Sequence, residues 1–272
     1  MSVTPPASFV VQRNAQSASL QDLTPLAFAG YAHFTAMQIR DGRVRGLDLH
    51  LARLRTASID MFGQALPDTQ ILAALRAAIQ AGPVEMSLVA TVYSPAGEFT
   101  VAGADLQPEL LVRTSPPSAG PSGPLALAAI AHERMLPSVK HVGEVAKTYL
   151  LRQAVADGFD DAAFVDQQGR LSEASIWNLA FWDGEAVVWP DAAMLTGTTM
   201  GIVRRQLDRM GVPQRVQAIT PEDVPALLGA VVMNSWTPGV PVNRIGASTL
   251  PAAPRFLALL HAAYQAETPV SP

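Results

Sequence analysis

The sequence predicts an α+β protein built as two halves. Three observations carry this. Strand-like and helix-like segments mix along the chain without the strict alternation of a doubly wound parallel sheet. Nearly half of the 272 residues (49%) are hydrophobic, enough for substantial cores. Residues 115–124 (SPPSAGPSGP) hold four Pro, two Gly and three Ser, the composition of a linker between the halves. The expected organisation is a loose arm over 1–20, a small α/β domain over 21–114, the linker over 115–124 and a larger α/β domain over 125–272.

The elements follow from local pattern. Polar and Pro/Ser-rich composition predicts the loose arm. Residues 33–39 (HFTAMQI), Asp41-Gly42 and residues 43–47 read as strand, tight turn, strand. Asp48 is the expected N-cap of a helix whose stripe runs through Leu47, Leu51, Leu54, Ser58 and Met61. A second helix is expected over 70–79, then strands over 86–93 and 110–113. Beyond the linker come an apolar strand over 125–130 and a helix over about 144–157. That helix is expected to bury Val145, Tyr149, Leu150 and Ala154, with Gly158 closing it. Short strands are expected over 162–165, 170–175, 178–182 and 186–189. A helix from about Thr199 to Gly211, a buried strand over 230–234 and a last helix over 255–265 complete the chain.

Composition narrows the function. Both charge signs are present and the net charge is −4, so the whole chain has no attraction to nucleic acid or an anionic membrane. Cysteine is absent, which excludes disulfides, Cys-ligated metal and Cys nucleophiles. The apolar runs stay short of the ~20 residues a bilayer needs. The N-terminus lacks a basic and apolar leader pattern, and a cytoplasmic protein is the expectation. Phosphate-loop, dinucleotide-binding and H-E-x-x-H motifs are missing, and His33, His50, His132, His141 and His261 show no metal-ligand spacing. Of 19 basic residues only Lys140 and Lys147 are lysines, so chemistry needing a primary amine has two candidates.

The second half carries an ordered set of chemical groups: Lys140-His141, a helix, Asp166 to Gly169, Glu173, Asn178-Leu179, then Thr196-Gly197-Thr198-Thr199 at a helix start. In the first half stands His50-Leu51-Ala52-Arg53-Leu54, and near the end Met233-Asn234-Ser235-Trp236-Thr237-Pro238-Gly239-Val240-Pro241-Val242. In order and spacing this resembles the class IV aminotransferase family, with residues 233–242 similar to its late phosphate-side loop, especially in the lyase version. These are fold type IV pyridoxal-phosphate enzymes that include branched-chain and D-amino-acid transaminases and aminodeoxychorismate lyase. The resemblance implies a two-domain, D-amino-acid aminotransferase-like fold with pyridoxal 5'-phosphate at the domain interface, and a homodimer.

The resemblance also implies roles. Lys140 would form the Schiff base to the cofactor and move the substrate α-proton. Glu173 would hold the pyridine nitrogen protonated. Gly197, Thr198 and Thr199 would offer N–H groups, hydroxyls and a helix dipole to the phosphate. Arg53 would add a cation, and Asn234 and Ser235 would complete the phosphate cup. From the residues alone, Lys140 reads first as a solvated loop charge, while Arg53 reads as readily as a helix-surface arginine and Asn234-Ser235 as a simple turn. Lys147 reads as a charge on a solvated helix face. The implied activity is transamination between an amino acid and a 2-oxo acid. The alternatives are a lyase releasing pyruvate and 4-aminobenzoate from aminodeoxychorismate, and a non-catalytic relative. Departures from the family pattern at Ala29-Gly30-Tyr31-Ala32, Val145 and Tyr93–Gly97 leave the substrate open.

Overall fold

The computed structural model describes residues 9–28, 30–96 and 107–272. Ala29, Gly97 and the first eight residues of the expected arm lie outside the described residues. The chain forms two compact units. The first holds Met1–Ser118, Val139–Gly143 and Pro269–Pro272; the second holds Ala119–Ser138 and Glu144–Thr268. The change from one unit to the other after Ser118 falls inside the Pro/Gly/Ser-rich stretch. The return of 139–143 and of the C-terminus to the first unit differs from the expected single boundary.

In the first unit, β1 (Val11–Arg13), β2 (Gln16–Ser17) and α1 (Leu20–Phe28) precede β3 (Ala32–Ile39). Then follow α2 (Leu47–Phe62), α3 (Asp68–Ala81), β4 (Met86–Tyr93) and β5 (Glu109–Ser115). The antiparallel sheet has the order β2-β1-β5-β4-β3. Its period-two pattern turns Met37, Ile39, Leu88 and Ala90 into one core with Leu54, Ala57, Ile71 and Leu75 of the helices. The arm is corrected here. Residues 11–17 form a hairpin whose first strand pairs with β5, Val11 opposite Arg113. Ser19 and Asp22 then cap α1 reciprocally, Ser19 N donating to Asp22 Oδ2 at 2.7 Å and Asp22 N to Ser19 Oγ at 3.3 Å.

Asp41 and Gly42 make the expected tight turn, both at positive φ, between the mutually bonded Arg40 and Arg43. The strand expected over 43–47 does not form against β3, because Val44 pairs instead with Val270. Gly46, at φ 66°, replaces Asp48 as the N-cap of α2, and no side chain caps that end. Asp48 lies in the first turn, where the helix dipole favours an acid.

The second unit comprises β6 (Leu125–Ala131), α4 (Val145–Ala156), β7 (Asp161–Val165), β8 (Leu171–Ala174), β9 (Asn178–Trp182) and β10 (Val187–Pro190). It continues with α5 (Thr198–Arg209), β11 (Gln214–Gln217), β12 (Gly229–Met233), β13 (Val240–Ile245), β14 (Ser248–Thr249) and α6 (Pro254–Ala266). The strand order is β11-β10-β9-β12-β13-β6-β7-β8, and β8 also pairs with β9. That last pairing closes a ring of six strands, with β10 and β11 continuing from β9. Alternation along the strands sorts the side chains. Leu179, Phe181, Ala230 and Val232 belong to one core with Leu127, Val240 and Val242. Ala180, Val231 and Met233 face α5 and α6, packing on Met200, Val203, Phe256 and Leu260. Mixed parallel and antiparallel pairing in one sheet is the α+β class expected.

Candidate functional site

Glu173 lies on β8, a strand whose four residues are all buried. Its carboxylate meets two cations. Lys147 Nζ donates to Oε1 at 2.7 Å, and the Arg134 guanidinium reaches the same oxygen at 3.4 Å. Arg134 also pairs with Glu144 at 2.5 Å. The Lys147 and Glu173 side chains are each 6% exposed. Lys147 therefore corrects the sequence reading of a solvated helix face. α4 turns Lys147, half-buried Leu150 and Ala154 inward, onto Phe164 and Ala162 of β7. Val145 and Tyr149, expected inside, are 82% and 62% exposed. The buried positions recur at i, i+3 and i+7, so the stripe was readable had a lysine been allowed on it. Burial pushes the Lys147 ammonium below its ordinary range, and the adjoining Glu173 carboxylate opposes that shift. Arg134 and Lys147 are contacts of Glu173 that the motifs did not single out.

Cross-strand register carries this point to the start of α5. Glu173 is opposite Asn178 on β9, and Asn178 is opposite Met233 on β12. Asn178 Nδ2 donates to the Leu195 carbonyl at 2.6 Å, and its Oδ1 lies 2.0 Å from where a Cβ on Gly197 would stand. Only glycine permits that approach. α5 begins at Thr198, where Thr198 and Thr199 are buried. The first-turn N–H groups of a helix have no carbonyl four residues back to bond, so they and the dipole favour an anion. Thr199 Oγ1 donates to the Asn234 carbonyl at 2.8 Å. Asn234 N donates to the Thr237 carbonyl, and Asn234 Oδ1 accepts from Trp236 N at 2.8 Å, which makes a tight turn carrying half-buried Ser235. Glu173, Gly197, Thr198, Thr199, Asn234 and Ser235 thus gather at one end of the second unit's ring. A buried carboxylate suits a protonated ring nitrogen, and a helix start flanked by hydroxyls suits a phosphate. The donor set fits pyridoxal phosphate.

The remaining two residues singled out by sequence belong to the first unit. This corrects Lys140, which the sequence assigned to the second domain. Residues 139–143 add to the outer edge of β3, with Phe34 N donating to the Lys140 carbonyl and Val142 N to that of Ala32. Lys140 is half-buried, with Nζ 4.8 Å from the centroid of the Phe34 ring. Arg53 is half-buried on α2, and its charge helps hold His50 neutral. Arg55 is exposed and pairs with Asp68. Nearby, His50 Nδ1 is 2.6 Å from Thr35 Oγ1, and His33 Nε2 is 2.9 Å from Ser58 Oγ. Burial pushes His50 down to about 3 and His33 to about 4. Among the described residues no group of three or more His, Asp or Glu could hold a metal ion, and no helix is long and apolar enough to cross a membrane.

Solved structures share this fold at low sequence identity. A branched-chain aminotransferase from the archaeon Thermoproteus uzoniensis, solved with norvaline, is 17% identical, with a TM-score of 0.80 over 96% of this chain and 99% of that one. A putative 4-amino-4-deoxychorismate lyase from Legionella pneumophila is 19% identical, with a TM-score of 0.79 over 92% and 96%. The branched-chain amino acid aminotransferase of Escherichia coli is 15% identical, with a TM-score of 0.82 over 96% and 95%. No curated protein sequence matches the chain significantly. The family described as amino-transferase class IV matches residues 32–245, and the chain belongs to that family, whose members are pyridoxal-phosphate-dependent transaminases or lyases.

Proposed function

We propose that this chain is a transaminase that moves an amino group between an amino acid and a 2-oxo acid, with Lys140 as its catalytic amine. The observation that carries the proposal is the buried Glu173 carboxylate at the same end of the ring as the α5 start and the turn at Asn234. When bound, pyridoxal phosphate supplies an aldehyde that exchanges amines and a ring that withdraws electrons from the substrate. Glu173 holds the proton at the ring nitrogen. Gly197, Thr198 and Thr199 bind the phosphate through N–H groups and hydroxyls. Arg53, Asn234 and Ser235 add a cation and the rim of the turn. Lys140 would hold the cofactor through its amine, condensing with the aldehyde with loss of water. Once the substrate amine displaces it, it would carry the proton from the substrate's α-carbon to the former aldehyde carbon, so that the amino group stays on the cofactor.

Lys147 is unsuited to the attachment. Its amine is committed to Glu173 at 2.7 Å, and the aldehyde carbon stands across the pyridine ring from the nitrogen that Glu173 would serve. Borohydride reduction of the cofactor-loaded protein followed by peptide mapping tests the assignment. Label on Lys140, and its loss together with turnover in Lys140→Ala, is expected; label on Lys147 would sink it. A panel of amino donors with 2-oxo acid acceptors reads the reaction. Pyruvate released from aminodeoxychorismate without an acceptor would select the lyase, a reading supported by the likeness of 233–242 to the lyase form of that segment. The family resemblance also supports a homodimer, with solution mass by light scattering as its measurement.

A further inference from the structure

Lys147 is a buried cation that the proposed chemistry leaves without a task. It stands on the inward stripe of α4 with Nζ 2.7 Å from Glu173 Oε1 and 5.4 Å from the centroid of the Phe164 ring. The groups facing this point come from every surrounding element: Glu173 from β8, Arg134 and His132 from the segment after β6, Glu144 from the start of α4 and Phe164 from β7. Arg134 divides its charge between Glu144 and Glu173, whereas Lys147, among the described residues, meets Glu173 alone of the acids within ion-pair distance. Both cations take Oε1.

A carboxylate so engaged has less negative charge to offer a third cation. A protonated ring nitrogen beside Glu173 would also feel the Lys147 ammonium in a site where water screens little. A buried ion pair is rarely retained for stability, since an apolar pair of the same shape serves as well or better. We propose that Lys147 is a positioning residue that fixes Glu173 through Oε1 and limits how strongly that carboxylate holds a proton on the cofactor's ring nitrogen. It would thereby set the electron withdrawal available to the reaction. The inference rests on Glu173 being the ring partner.

The experiment is equilibrium binding of the apo protein to pyridoxal phosphate and to its 1-deaza analogue, in which carbon replaces the ring nitrogen. The ratio of the two affinities reads the Glu173–nitrogen contact and needs no turnover. The parent is expected to prefer pyridoxal phosphate. In Lys147→Met the preference should rise about tenfold, the size of one pK unit, and in Lys147→Arg it should stay at the parental value. A merely structural role would weaken both ligands together and leave the ratio unchanged. Should the methionine variant not fold, Lys147→Gln carries the same expectation. A ratio that stays constant, or falls, in the uncharged variant overturns the role of Lys147. A parent that binds the two ligands equally, with Glu173→Gln no different, would instead overturn Glu173 as the ring partner.

Discussion

The two units bury their ionisable groups in opposite ways. The first places His33 and His50 inside, where burial keeps both imidazoles neutral, and gives each a hydroxyl, from Ser58 and Thr35. The second buries formal charges and matches them, Lys147 with Glu173 and Arg134 with Glu144. Neutral groups with hydroxyl partners behave as packing with a directional bond. Paired ions forfeit hydration that their attraction barely returns, so they persist where a charge is required. The difference agrees with the proposed role of the Glu173 end of the ring, where a charge would be put to use.

The largest break in this contrast comes from Glu173→Gln. It leaves Lys147 without its carboxylate, and removing one member of a buried ion pair costs roughly 3–5 kcal/mol. Denaturant titration of the apo chain measures it, and a loss below about 1 kcal/mol would show that solvent reaches the pair.

Lowering the pH works on the other unit. Each buried histidine has a folded-state pKa below its unfolded value of 6.5. Its contribution is therefore fully present above about pH 6.5 and declines as pH falls toward about 4 for His33 and about 3 for His50. At pH 5 each should have withdrawn about 2 kcal/mol relative to neutral pH. His132, in the second unit, shifts in the same direction. The readout is consequently the difference in pH slope between the parent and His50→Gln, which should be flatter by about one proton between pH 6 and 5. Equal slopes would mean that His50 is charged in the folded state.

The smallest effect sharpens the contrast from outside. Arg55 is 49% exposed and pairs with Asp68 at the surface. Arg55→Ala should change stability by less than about 1 kcal/mol, because water screens and replaces such a pair. A thermal melt against the parent checks this, and a loss comparable with that of Glu173→Gln would erase the distinction between buried and surface pairs.

Local pattern by itself determined the strongly periodic elements. β3, β4, β7, β9, α2, α3, α5 and α6 lie within a few residues of their expected spans, because alternation or a helical stripe decides them without help from distant chain. The change of unit after Ser118 lies in a stretch too rich in Pro and Gly to pack. Glu173 was legible as an acid among apolar strand residues, and the start of α5 as glycine and threonine before a helix.

Tertiary structure decided what depends on a partner far along the chain. β1 (VQR) and β11 (QRVQ) have no apolar period, and they are strands because β5 and β10 offer edges to pair with. Residues 240–245, for which local pattern predicted no strand, became β13 between β12 and β6. The segment with Lys140 left the half it adjoins in sequence because β3 had an open edge for it. Lys147 shows the physical reason most plainly. A lysine on a helix is solvated by default, since burying its charge alone is prohibitive. What makes burial tolerable is a carboxylate 26 residues away, and only the fold brings Glu173 within 2.7 Å of it.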